Sequence, residues 1–267
     1  MESDVERLQQ HVMIDAALLK RIVDYTGISK DEIILEIGAG PGNLTELLAQ
    51  KAKEVFAFEI DVRFKAQLAK LEKKHKNLQI IFEDALKATF PSQFNKIVSN
   101  IPYNISEPLL MKLIDCGCNF KLAVLTVGET FAHILTKRDN ISRVSIIAPA
   151  YFDVEVKEIV PKDAFEPQPN TKSAVIMLKP KAKEELSPEL FMIRELWQQR
   201  TKKIINALRE AIINHYTLQK KERMTKNQAR NVLEKLDIKD KIKEKTVETL
   251  SGKEFGDLLK LLILKVS

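Results

Sequence analysis

From about residue 30 onward, apolar β-branched runs alternate with amphipathic stretches, and the alternation itself predicts an architecture. Residues 32–37 (EIILEI), 55–58, 78–82, 96–99 (KIVS) and 122–127 (LAVLTV) have the length and near-continuous apolarity of strands buried on both faces. Between them lie helical patterns over 42–51, where Leu44, Leu47 and Leu48 share one face, over 62–75 and over 108–116. Strands and helices in this alternation make a parallel sheet covered on both sides.

After Thr136 the pattern changes. Residues 144–147, 152–159 and 173–178 read as strands, and the absence of a long helix between the last two predicts an antiparallel hairpin at the sheet edge. The intervening 161–169 (PKDAFEPQP) is too rich in proline for a central strand and reads as a shaped loop. Pro180 and the following KAKEE mark a domain boundary. Beyond it every pattern is helical: 188–216, 225–236, a short piece at 240–245, and 253–264. Ser187-Pro188 and Thr225 stand at N-cap positions, and Ser251 with Glu254 forms a capping box. The expectation is an α/β domain over 1–180, including an N-terminal segment 1–30, and a small all-α domain over 181–267.

Composition narrows the classes. A chain of 267 residues, 45% hydrophobic and 30% charged, is long enough for one or two domains and too apolar to be disordered as a whole. The longest apolar candidate, 258–266, is interrupted by Lys260 and Lys265 and falls short of the roughly 20 residues that a membrane span needs. The start, MESDVERLQQ, is acidic and polar, unlike a secretory signal or transit peptide. Cys116 and Cys118 make neither a disulfide framework nor a four-ligand zinc site, and the four histidines are dispersed, so no metal is expected. Neither a G-x-S-x-G elbow nor a G-x-x-x-x-G-K-[ST] phosphate loop occurs. A cytoplasmic, membrane-free monomer is expected.

The net charge of +6 conceals a split. Up to Pro180 there are 23 basic and 24 acidic residues; from Lys181 onward there are 20 and 13. A polyanion-binding appendage and a set of solvated Lys-rich helices both account for that, and charge alone leaves both open.

Two stretches carry chemistry. In Glu36-Ile-Gly38-Ala-Gly40-Pro-Gly42-Asn-Leu-Thr45, between the first strand and its helix, glycines at G-x-G-x-G spacing let the backbone turn tightly and approach a ligand. Glu59, at the end of the second strand, suits a pair of ribose hydroxyls, and Asp84, at the end of the third, an adenine amine. Three such groups on one sheet edge imply an adenosyl ligand; a nicotinamide cofactor remains open. The second stretch, Ser99-Asn100-Ile101-Pro102-Tyr103-Asn104-Ile105-Ser106, suits methylation of an amine. The N6 of adenine is a poor nucleophile because its lone pair is delocalised into the ring. An Asn carbonyl oxygen and the backbone carbonyl at or before Pro102 can accept its two N–H bonds and favour a pyramidal nitrogen. Tyr103 can stack on the base.

These residues resemble a known family. EIGAGPGNLT, EID (59–61), EDA (83–85) and NIPYNIS (100–106) are similar to the motifs of the ribosomal RNA adenine N6,N6-dimethyltransferases, the dimethyladenosine transferase family. The resemblance runs nearly end to end. It takes in Arg7 to Asp15 near the N-terminus, the proline-rich stretch from Val160 through Phe165 to Val175, and Gln199-Arg200-Thr-Lys202-Lys203 with 248–255 near the C-terminus. It implies a Rossmann-like seven-stranded S-adenosylmethionine-dependent methyltransferase fold followed by the small all-α domain. Gln10, His11 and Met13 would border the methionine end of the donor and Gly38, Gly40 and Gly42 its backbone. Glu59 and Ile60 would meet its ribose, Asp84 and Ala85 its adenine, with Asn100 also beside it. Asn100, Pro102 and Tyr103 would hold the target adenine, with Ile101 beside it and Phe165 as a second stacking face. Arg200, Lys202 and Lys203 would contact RNA. The substrate would be two adjacent adenosines in a 3′-terminal hairpin of small-subunit rRNA, on the immature subunit.

The chain departs from the family pattern at Gln9, Val12, Val127-Gly128-Glu129 and Ile141-Ser142-Arg143, around the rim that grips RNA more than in the donor pocket. Two other functions compete. One is large-subunit rRNA methylation of the antibiotic-resistance kind; the other is a ribosome-assembly or transcription factor in which methylation is secondary or lost. An intact N-I-P-Y loop argues against the latter. Asn100, in place of the acidic residue of a D-P-P-[YFW] loop, argues against a DNA adenine methyltransferase.

Overall fold

The computed structural model describes residues 11–117, 119–137 and 142–266. It forms two compact units, Met1–Thr136 with Asp153–Pro180, and Lys137–Phe152 with Lys181–Ser267.

The first unit is built on a seven-stranded sheet. Its strands are β2 (Ile33–Ile37), β3 (Glu54–Phe58), β4 (Leu78–Ile81), β5 (Lys96–Asn100), β6 (Leu122–Gly128), β7 (Phe152–Val160) and β9 (Ser173–Pro180), in spatial order β4-β3-β2-β5-β6-β9-β7. From β4 to β6 all neighbours are parallel, and β9 enters antiparallel to β6. Sequence order reverses between β2 and β5, so the β2 and β5 carboxyl ends diverge there and open the crevice in which doubly wound sheets bind ligands. A separate two-stranded ribbon pairs β1 (Val12–Met13) with β8 (Phe165–Glu166).

Helix α1 (Ala16–Thr26) is well bounded within the N-terminal segment. Asp15 caps it by accepting from the amides of Ala17 and Leu18, both at 2.9 Å, and Gly27 closes it at φ 54°. Its buried Leu18, Leu19, Ile22 and Val23 join Leu44 and Leu48 of α2 (Asn43–Lys51), Leu68 of α3 (Lys65–Lys74), and Ile34, Val55, Val98 and Val124 of the sheet in one apolar core. Truncating any of these leucines to Ala costs about 2–5 kcal/mol. Helix α4 (Ser106–Asp115) follows the N-I-P-Y loop, and α5 (Glu129–Lys137) follows β6.

The second unit is helical: α6 (Arg143–Ile147), α7 (Pro188–Gln198), α8 (Ile204–Lys220), α9 (Lys226–Glu234), α10 (Asp240–Lys243) and α11 (Gly252–Val266). Three expectations change here. Residues 144–147 are helix, not strand, because Ser142 and Ser145 form a reciprocal capping box that fixes helical backbone ahead of the β-branched run. This segment, placed by sequence in the first domain, clusters with the C-terminal helices instead. The continuous helix expected over 188–216 is two helices. Lys203 bridges to Thr246, and Ile204 donates to the Lys245 carbonyl at 2.9 Å, so a non-local pairing diverts the chain between them. The expected caps at Ser187 and Thr225 and the Ser251–Glu254 box are formed. Among the described residues no helix is long and apolar enough to cross a membrane, and no group of three His, Cys, Asp or Glu is arranged to hold a metal ion.

Candidate active site

At the carboxyl edge of β2 to β5 a cavity of about 210 Å³ is lined by His11, Val12 and Met13, by 36–41, by Phe58 to Ile60, by 83–86 and by 100–105. One cavity thus gathers most of the residues that sequence reasoning singled out.

The glycine loop supplies its floor. Gly38, Gly40 and Gly42 have φ of 80°, 55° and 95°, conformations that side chains rarely adopt. Their roles differ. Gly38 and Gly40 line the cavity, and a Cβ on Gly38 would sit 3.6 Å from the Asn100 carbonyl and from Pro102 Cδ. Gly42 does not line it; there a Cβ would collide with Leu71 of α3 at 2.2 Å, so this glycine serves helix packing.

Acidic groups frame the same space. Glu59, 3% exposed just past β3, accepts from Gly40 N–H at 2.6 Å and Asp61 N–H at 2.7 Å. It thereby ties the glycine loop to the next strand, and burial pushes its carboxyl up. Ile60 beside it lines the cavity while half exposed. Asp84 lies three residues beyond the end of β4, in a turn where its Oδ1 accepts from Leu86 N–H at 2.9 Å. Lys112 of α4 pins that turn by donating to the Ala85 carbonyl at 2.6 Å and to Ala88.

Glu36 is the residue whose site role sequence reasoning missed. It lies inside β2, 1% exposed, and its Oε2 is buried without a hydrogen-bond partner. Burial pushes its carboxyl up to about 8, and the Glu59 charge adds to the rise. A carboxyl within an otherwise apolar strand was the available signal. A buried carboxyl oxygen without a partner can accept from an N–H donor in the cavity, and with the open glycine floor it fits S-adenosylmethionine.

Asn100, the last residue of β5, donates its Nδ2 to the His11 carbonyl at 3.0 Å. That bond assigns the amide, since the flipped form would set two carbonyl oxygens against each other, and it leaves Oδ1 as a free-standing acceptor type. The segment that accepts this bond is itself strapped in place. His11 Nδ1 donates to the Pro167 carbonyl at 2.8 Å, Ile14 N–H to Ala164 at 2.9 Å, and Asn43 Nδ2 to the Met13 carbonyl at 2.9 Å. Ile101 and Pro102 line the cavity, with the Pro102 carbonyl accepting from Ile105 N–H at 3.1 Å. The Tyr103 ring stands 5.7 Å from that of His11.

Other expected residues are elsewhere. Gln10 lies outside the described residues. Phe165 is 1% exposed in the apolar core and does not line the cavity, so in this conformation it offers no face to a base. Arg200, Lys202 and Lys203 belong to the second unit, in the turn between α7 and α8. Arg200 lies over the Trp197 ring at 5.2 Å and Lys203 pairs with Glu244 at 2.5 Å, while Lys202 is exposed.

Similarity to known proteins agrees with this geometry. The model of a family described as ribosomal RNA adenine dimethylase matches residues 2–252. A probable ribosomal RNA small subunit methyltransferase A of Pyrococcus abyssi is 36% identical over 77% of this chain and 76% of its own. Ribosomal RNA small subunit methyltransferase A of Ligilactobacillus salivarius is 33% identical over 96% of this chain and 89% of its own. Among solved structures, a dimethyladenosine transferase from Plasmodium falciparum superposes with a TM-score of 0.63 at 29% identity, covering 95% of this chain and 97% of that one. A doubly wound sheet, a glycine-floored cavity beside Asn100–Tyr103, and a family match over almost the whole length coincide: the chain belongs to the ribosomal RNA adenine dimethylase family.

Proposed function

We propose that the protein uses S-adenosylmethionine to dimethylate the N6 amines of two adjacent adenosines in a 3′-terminal hairpin of small-subunit rRNA, acting on the immature subunit in the cytoplasm as a monomer. The carrying observation is the orientation of Asn100. Its amide hydrogen is committed to the His11 carbonyl, so Oδ1 is the atom available to accept from an incoming amine in the cavity that Glu36, Glu59 and Asp84 share.

The donor, when bound, supplies an electrophilic methyl group on a sulfonium. Glu59, Ile60, Asp84 and Ala85 would hold its adenosine, and His11, Met13, Gly38 and Gly40 its methionine end, beside the unpartnered Glu36 oxygen. Asn100 Oδ1 and the carbonyl at or before Pro102 accept the two amine hydrogens in the first transfer, and one of them accepts the single hydrogen left for the second, localising the nitrogen lone pair. Tyr103 supports the base face. No strong general base is needed, because the amine proton becomes acidic as the nitrogen takes the methyl group. The second unit, with its excess of exposed cations, supplies the phosphate contacts.

The names of the relatives favour the small subunit over large-subunit methylation. The test is labelled-methyl transfer to separated ribosomal subunits, with the modified base mapped. Dimethyladenosine in the small-subunit hairpin is expected. Labelling of large-subunit RNA alone would replace this reading with the antibiotic-resistance type, and no labelling would favour an assembly factor.

A further inference from the structure

We propose that the cross-strand pair Gly128–Ser173 is a seat for Tyr103, and that Ser173 is a positioning residue for the ring that supports the target base. The proposal rests on the reading of Tyr103 given above and adds what holds it still.

Gly128 and Ser173 are partners at the end of the β6–β9 ladder. Ser173 is fully buried, and its Oγ lies 2.5 Å from the Tyr103 hydroxyl. A Cβ built on Gly128 would lie 3.5, 3.6 and 3.7 Å from Cγ, Cδ2 and Cδ1 of Tyr103. Near-equal distances to those three atoms place Gly128 over a ring face, close to the Cγ end. The bond and the glycine act differently. Because the hydroxyl lies on the ring axis, its bond to Ser173 holds χ1 and the position of the ring but does not oppose a flip about χ2. Gly128 leaves that face unobstructed, since even an added Cβ would meet the ring only in ordinary van der Waals contact. The bond to Ser173 fixes where the ring axis lies, and the same tyrosine lines the cavity with Asn100 and Pro102. A platform fixed before the base arrives costs no ordering entropy when it does. A long side chain at 128 directed at the ring would displace it. The absence of a side chain at this departure from the family pattern is therefore part of the seat.

The test has an arm in the free protein and an arm in turnover. In protein carrying 3-fluorotyrosine, the Tyr103 fluorine resonance is identified by its loss in Tyr103→Phe. Ser173→Ala is expected to shift that resonance and leave those of Tyr25, Tyr151 and Tyr216 in place. With rRNA and donor saturating, Ser173→Ala and Tyr103→Phe should each lower kcat about tenfold, the scale of one buried hydrogen bond. Donor Kd should be unchanged and Tm should fall by only a few degrees, the scale of one lost hydrogen bond, and the double variant should be no slower than either single one. Tyr103→Phe reaches the same bond without touching β9, which guards against misfolding of the Ser173 variant. An unmoved resonance, or losses that multiply in the double variant, would overturn the seat. If wild-type protein methylates no rRNA adenine, the proposed function fails, and the fluorine spectrum still decides the seat.

Discussion

The two units handle charge in opposite ways. The sheet unit carries 20 basic and 23 acidic residues, the helical unit 23 and 14. In the sheet unit the informative carboxylates face inward: Glu36 and Glu59 are buried and held above the usual carboxylate range. In the helical unit a cluster of cations faces outward. Lys220, Lys221, Arg223, Lys226 and Arg230, around the α8–α9 turn, are all exposed, with Glu222 the acidic residue among them. Glu195 is the buried exception, tied to Lys183 and to Asn214. Buried carboxyls with spare acceptor capacity suit a small cationic ligand, whereas a solvated cationic surface suits a polyanion whose counterions it can release. Segment Lys137–Phe152 sharpens the contrast: assigning it to the helices moves positive charge out of the sheet unit.

The largest test of that division is Asn100→Ala. Methyl transfer should fall at least about a hundredfold while donor affinity, measured by calorimetry, stays within about threefold, since the missing acceptor serves the amine. Equal losses in both would merge the two halves of the cavity. Next comes the pH response of the sheet unit. Glu36 titrates near 8 when folded and near 4.3 when unfolded, so between those values the folded state holds a proton that the unfolded state has released. Stability should therefore fall as pH rises from about 4.5 to 8, by roughly a few kcal/mol, and Glu36→Gln should flatten Tm against pH over that range. A slope unchanged in the variant would remove Glu36 as its cause.

Glu59→Gln should weaken donor binding about tenfold, because an amide retains one acceptor but adds an N–H facing the Gly40 or Asp61 amide. The smallest effect concerns the helical unit. Neutralising Lys220, Lys221 and Arg223 should reduce the slope of log affinity for RNA against log salt by about 0.7–0.9 for each phosphate that no longer meets a cation. Neutralising Lys203 should change it less, because Glu244 already pairs with that side chain. The reverse ranking would return the docking surface to the α7–α8 turn.

Much of the site was legible because its signals are local. Gly38 and Gly40 announce positive φ, Asn100-Ile-Pro-Tyr103 follows a recognisable strand, and Glu59 stands where a parallel strand meets the ligand edge. The misread elements depended on distant partners. The run 144–147, expected as strand, became helix once Ser142 and Ser145 capped it, and 188–216 broke because Lys203 found Thr246. Phe165 carried a motif position and still went into the core, since its strand pairs with the one holding Met13.

The sequence by itself determined the alternation of strand and helix, the glycine floor and the Asn100–Tyr103 loop at a strand end. These follow from periodicity, backbone sterics and side-chain type. Only the tertiary structure decided which way the Asn100 amide faces, that Glu36 is an unpartnered buried acid, and that Ser173 meets Tyr103 across 70 residues of chain. Each of those depends on strand register and on the exclusion of water. Both are collective results of packing that no local stretch encodes.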